Sequence, residues 1–231
     1  MNSIQKIGGI GALMMAAYFV WILAFVFAVL PAQGFTTPEA LTDPVKGLTS
    51  WANSPALYLF SLADLIFAAG LALTGLALYA QLRSKDASGG ASAMQIGTVA
   101  GIVAVPLFLA TAMTAIIGIP QIITMYPHNP NGASAAYAAV NALNSALGFA
   151  AVFAYGWWLG LVNWNALRTG ALPKPLGLVG LVLGVACILF FAIQLLAPIT
   201  LILGLVWSLW LGVVLLRSAI SMRESAVLKH A

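Results

Sequence analysis

The sequence predicts an all-α membrane protein: a polytopic helical bundle with six transmembrane helices, N and C termini both cytoplasmic. Three observations predict it. The chain is 62% hydrophobic and only 6% charged, whereas a soluble domain uses about 25% charged residues to cover its surface. Six apolar runs are each long enough to cross ~30 Å of hydrocarbon at ~1.5 Å per residue. Eight of the nine Lys and Arg residues fall on one side of the resulting topology, which is the bias of cytoplasmic loops.

The runs cover about residues 7–30, 55–82, 94–123, 137–162, 176–196 and 199–216, and make residues 1–231 a single membrane domain. The first run exceeds the ~7–15 apolar residues of a signal peptide and no small-x-small cleavage site follows it, so it is expected to remain as a span. Residues 31–54 form the one sizeable outer loop, in which Thr37-Pro38-Glu39 is the expected start of a short surface helix. Pro106 predicts a kink in the third span, and Pro120 an end or bend. The other links are a flexible stretch around Ser88-Gly89-Gly90, a turn-rich cap at 126–132 and an interfacial segment at 163–175. Ala197-Pro198 separates the last two spans and predicts a tight hairpin, because proline suits a helix's first turn and cannot continue the previous helix.

With the N-terminus inside, Lys6, Arg83, Lys85, Arg168, Lys174, Arg217, Arg223 and Lys229 are cytoplasmic, and Lys46 lies outside with Glu39 and Asp43. The expected location is the cytoplasmic (inner) membrane. The basic residues stand singly at span ends, so the net charge of +4 is no footprint for nucleic acid. The lipid bilayer is the partner that the composition demands.

Small and polar residues divide the spans. The GxxxG pairs Gly97/Gly101, Gly156/Gly160 and Gly180/Gly184 lie in the cytoplasmic halves, together with Gly8, Gly9, Gly11, Gly75 and Gly212. Such spacing lets helix backbones approach closely. The polar residues Asp64, Asn141, Asn144, Gln121 and Gln194 lie in the outer halves. Ser61, Asp64, Ala68, Ala72 and Gly75 share one stripe of the second span, and Asn141, Asn144, Gly148, Ala151 and Tyr155 one stripe of the fourth. Two readings follow: buried packing faces whose polar groups satisfy one another, or a bundle closed toward the cytoplasm with a pocket open to the outside.

Asp64 is the only ionisable side chain within the spans, about nine residues or ~13 Å from the outer end. A charge near mid-bilayer costs roughly 2.5–3.5 kcal/mol on insertion scales. No Lys, Arg or His is available in a span to pair with it, so its expected partners are neutral: Ser61, Asn141, Asn144, Gln121 or Gln194. It serves either as a neutral hydrogen-bonding group between helices or as a proton-carrying or cation-binding carboxylate.

Most membrane chemistry lacks its residues here. His128 is in an outer loop and His230 at the C-terminus, so no histidine pair can hold a haem. No His, Cys and carboxylate cluster has metal-ligand spacing. No lysine can form a Schiff base in a span, and no histidine or second aspartate can complete a protease site. Neither an enzyme nor a cofactor is expected. Cys187 reads as a small buried hydrophobe. Trp51, Trp157, Trp158 and Trp164 read as interfacial anchors, and Trp207 and Trp210 as packing within the bundle or against a partner subunit or a lipid-like molecule.

The stretch Arg168-Thr169-Gly170-Ala171-Leu172-Pro173-Lys174, the glycine-rich 176–184 and the closing Trp207-Ser208-Leu209-Trp210-Leu211-Gly212 resemble a large bacterial family of six-span membrane proteins, domain of unknown function 4386. The resemblance is strongest over 163–217, and the span spacing and long first outer loop agree with it. Members often carry an acidic residue where Val206 or Trp207 stands here. The family implies a fold and no activity.

Two functional classes remain. The first is a non-enzymatic binding or accessory protein for a small ligand, lipid or partner subunit reached from the outer face. The second is a small proton- or cation-coupled transporter using Asp64. Transporters commonly show interrupted helices at matching positions of two halves; only the third span is interrupted here, which places the binding role first. The residues expected to carry either role are Asp64, Asn141, Asn144, Gln121, Gln194 and Ser61.

Overall fold

A computed structural model describes residues 2–35, 43–85, 91–190, 192, 193 and 196–228. These residues form seven helices, the first and third of the long ones continuing through a π turn. Helix α1 runs Asn2–Ala24 and continues through a π turn, Phe25–Val29, into Leu30–Ala32. Helix α2 is Pro44–Asn53 and α3 is Pro55–Lys85. Helix α4 comprises Ala91–Met113, a second π turn at Thr114–Gly118, and Ile119–Met125. Helices α5, α6 and α7 are Pro130–Thr169, Lys174–Leu189 and Ala197–Leu228. Thr37, Pro38 and Glu39, the Ser88–Gly90 link and Gln194 lie outside the described residues.

Among the described residues, five helices are long and apolar enough to cross a membrane. The fifth expected span is the exception. Helix α6 has 16 residues, or ~24 Å, because its helix ends at Leu189 rather than reaching residue 196. The outward faces of the long helices are apolar, with Phe27 70%, Leu76 66% and Ile102 64% exposed. Such a surface suits hydrocarbon, where helices satisfy their own backbone groups.

Both π turns end two residues before a proline, Pro31 and Pro120. Proline lacks the amide proton and its ring collides with the carbonyl four residues back. A widened turn relieves both faults and keeps the chain helical. The α-helix continues through Pro106, and the departure from α-geometry at 114–118 lies beside Pro120, where an end or bend was expected.

Short polar devices set the helix ends. The Asp43 carboxylate caps α2 by accepting from the amides of Val45 and Lys46 at 2.9 and 3.2 Å, with Pro44 in the first turn. Asn129 caps α5 by accepting from the Gly132 amide at 3.0 Å, and Gly170 ends it in the left-handed region, φ +62°. The Lys46 ammonium donates to the Gly34 carbonyl and lies 5.2 Å from the Phe35 ring centroid, tying α2 to the end of α1.

The six long helices pack as a closed ring in chain order, α1–α3–α4–α5–α6–α7 and back to α1. Neighbours run antiparallel. Phe67 meets Phe19, Phe25 meets Phe60, Phe108 meets Tyr155 and Phe149 meets Phe190. The Ser218 hydroxyl donates to Gln5 at 3.0 Å, so the two ends of the described chain lie at one end of the bundle. Exposed Lys6, Arg83, Arg168, Lys174 and Arg217 lie at that end too, while Lys46 lies at the other.

Glycines set three close crossings. A methyl group on Gly11 would lie 2.7 Å from the Gly70 carbonyl oxygen (α1 on α3). One on Gly9 would lie 3.2 Å from the Gly212 carbonyl oxygen (α1 on α7), and one on Gly184 would lie 2.8 Å from the Gly160 nitrogen (α6 on α5). Between α3 and α4 the glycines do not bring the backbones together. The buried Trp158 indole sits between Gly75 and Gly101 and holds these helices apart. A cleft of about 410 Å³ results, lined by Gly75, Gly97, Gly101, Trp158 and Asn165 among others. Trp158 is thus no interfacial anchor; it stacks on Tyr155 and meets Trp207 edge-on.

Trp207 is fully buried inside the bundle and its indole N–H donates to the Asn163 side-chain oxygen at 3.2 Å. Asn163 in turn donates to the Leu159 carbonyl at 2.8 Å. The sequence placed Asn163 in an interfacial link. It belongs to the helix interior because α5 continues to Thr169 and both polar ends of the amide are satisfied.

Candidate functional site

At the end of the bundle away from the termini, all six long helices converge on a cavity of about 440 Å³. Its inner limit is an aromatic cluster centred on Phe67, whose ring centroid lies 4.6 Å from Tyr18, 4.7 Å from Phe108 and 5.3 Å from Tyr155. Asp64 stands one turn from Phe67 on α3, toward the end of the bundle away from the termini, a rise of roughly 4.5 Å. It is 4% exposed and lines the cavity.

The carboxylate's partner is one that the sequence reading missed. The Tyr18 hydroxyl of α1 donates to Asp64. None of Ser61, Asn141, Asn144 or Gln121 fills that place. In sequence a tyrosine within an apolar run reads as bulk, and only the antiparallel pairing of α1 with α3 brings residue 18 level with residue 64.

The other expected site residues separate. Asn144 lines the cavity with Asp64, and its side-chain oxygen has no hydrogen-bond partner. Asn141, one turn away, is exposed and outside the lining, as is Gln121 on α4. Ser61 is buried at 2% exposure but does not reach the cavity. Two residues not expected at the site complete its polar equipment. The Tyr155 hydroxyl is buried without a partner, and exposed Ser145 lines the wall near Asn144. Thr111 and Thr200 also line it, but their hydroxyls donate to the Leu107 and Ala197 carbonyls at 2.9 and 2.8 Å. Cys187 is buried and lines the same cavity.

The short helix α6 explains why this cavity is open. Between Tyr137 and Ala151 no residue of α5 is buried, because α6 ends at Leu189 and leaves that stretch without its neighbour. Just beyond the end of α6, Phe190 meets Phe149 of α5 at 5.7 Å between centroids. Ser145 and Phe149 both line the cavity and are exposed. A methyl group on Gly148 would meet nothing within 4 Å, which marks free space beside them. On the opposite side α2 covers the bundle end: Leu48 packs with Ile119, Ile122 and Tyr137, and the Trp51 indole N–H donates to the Tyr137 hydroxyl.

The arrangement joins one carboxylate, two unpartnered polar atoms and several aromatic rings in a cavity of ligand-binding size, for which ~300–1,000 Å³ is usual. No group of three or more metal-ligating side chains occurs among the described residues. No family model, curated protein or solved structure matches the chain.

Proposed function

We propose that the protein is a six-span protein of the cytoplasmic membrane, termini inside, that binds a small molecule in a cavity entered from the outer face and performs no chemistry on it. The observation that carries this reading is the pairing of buried Asp64 with unpartnered Asn144 and Tyr155 around one open space. Buried polar atoms in native proteins are nearly all hydrogen-bonded, so those two oxygens favour a polar ligand or water. The bias of basic residues toward the end that holds the termini supports the orientation. Helix α6 with its flanking residues serves as the fifth span, and the resemblance to the six-span family rests on the residues quoted for it.

An exposed residue of the cavity wall gives the test. Ser145 lines the cavity, and Gly148 offers room for a larger side chain. In nanodiscs, N-ethylmaleimide should modify the Ser145→Cys, Cys187→Ser protein, and adding Gly148→Phe should slow the reaction at least tenfold. A thiol that reacts only after denaturation, or a rate indifferent to Gly148→Phe, would contradict an open cavity at this place.

A second reading, transport coupled to Asp64, draws on a specific observation. The outer cavity and the α3–α4 cleft lie back to back along the bundle. Tyr155 lines one, Trp158 the other, and the two rings stack with centroids 5.8 Å apart. Pockets on opposite sides of a thin aromatic partition are what alternating access requires. Proton or cation flux in proteoliposomes that Asp64→Asn abolishes would favour this reading over simple binding.

A further inference from the structure

We infer that the outer cavity takes a small organic cation, a protonated or quaternary amine with an aromatic or branched alkyl body, its charge against Asp64 and its body against Phe67, Phe108 and Tyr155. The inference rests on the outer-cavity reading above and names its ligand class.

Charge comes first. The described residues lining the cavity include Asp64 and no Lys, Arg or His. Tyr18 supplies one donor, whereas an ionised carboxylate offers about four acceptor positions. A buried carboxylate is costly unless paired. An anionic ligand would add repulsion, and a neutral ligand could supply hydrogen bonds alone. A cation adds charge pairing to them and favours the ionised carboxylate.

The walls then select among cations. A hard metal ion prefers about six or more oxygen ligands. Here a single carboxylate is backed by a phenol and an amide, and aromatic rings make up much of the rest. The negative faces of such rings attract ammonium groups, and quaternary ammonium sites are commonly built from them. Four rings, Tyr18, Phe67, Phe108 and Tyr155, form one contiguous cluster directly beside the carboxylate. The volume of about 440 Å³ accommodates a body of one ring and several carbons. The unpartnered Asn144 oxygen and Tyr155 hydroxyl can accept from an ammonium N–H or from a polar substituent.

The experiment compares two probes of equal shape, benzyltrimethylammonium and its neutral carbon isostere neopentylbenzene. Binding to the full chain in nanodiscs is measured by calorimetry. The ammonium should bind at least tenfold more tightly than the isostere. Asp64→Asn should remove that preference and leave the isostere's affinity unchanged. Phe108→Leu should weaken the ammonium severalfold more than the isostere, and it serves as the deciding variant should Asp64→Asn fail to fold. Equal affinity of the two probes, or a preference that survives Asp64→Asn, overturns the cation assignment. Binding of the isostere alone, blocked by Gly148→Phe, does so while the cavity reading stands. If neither probe binds and Gly148→Phe leaves the thiol of the Ser145→Cys, Cys187→Ser protein as reactive as before, both fall together.

Discussion

Individual side chains divide sharply between those whose role their type announces and those whose role depends on a partner. Asp64 was legible at once, because a lone acid among apolar runs has to be accommodated by burial, pairing or water. Its partner Tyr18 was not, since the pairing spans two helices and a phenol is compatible with a lipid face, a core or a site. Asn163 misled in the opposite direction: its polarity suggested the membrane surface, yet the Trp207 indole and the Leu159 carbonyl satisfy it in the centre of the bundle. Trp207→Phe should therefore cost roughly 1 kcal/mol, because it strands a buried amide oxygen. Trp210→Phe, at a residue 37% exposed, should stay within ~0.5 kcal/mol. Thermal unfolding of both variants in one detergent checks the contrast, and equal shifts would mean that the indole–amide bond contributes nothing.

Whole elements were legible where hydropathy runs long and ambiguous where a boundary depended on local chemistry. Between α1 and α3, helix α2 starts at Asp43-Pro44, where the aspartate caps two amides. The apolar run through 196 disguised the end of α6 at Leu189, since composition alone does not tell a helix from an apolar turn. The glycine pairs behave unequally for a reason of direction. In α5, a methyl on Gly156 would lie 2.9 Å from the Gly184 carbonyl oxygen, but one on Gly160 would meet nothing within 4 Å. Gly156→Ala should force α5 and α6 apart and cost about 1–3 kcal/mol. Gly160→Ala should be neutral or stabilising by up to ~1 kcal/mol, as alanine is the better helix former. Unfolding midpoints measured side by side check this. A neutral Gly156→Ala would mean that the α5–α6 crossing is looser than described.

At the scale of the molecule, a six-helix ring with one short member accounts for where space is left. Antiparallel neighbours bring both termini and the basic helix ends together, glycine crossings draw α1, α3 and α7 and then α5 and α6 close, and the truncation of α6 leaves α5 uncovered beside Asp64. The layout of polar residues toward the end away from the basic helix ends was visible in the sequence; the opening was not, because it follows from a helix that stops early. A ligand's proposed route into this opening is from the outside. The most direct measurement places single cysteines at Ser145, in the cavity wall, and at Thr98, in the α3–α4 cleft, each in a Cys187→Ser background, and treats intact cells with a charged, membrane-impermeant thiol reagent. The cysteine at 145 should be labelled from outside and the one at 98 should not. Labelling at 98 with protection at 145 would reverse the orientation and, with it, the side from which a ligand enters.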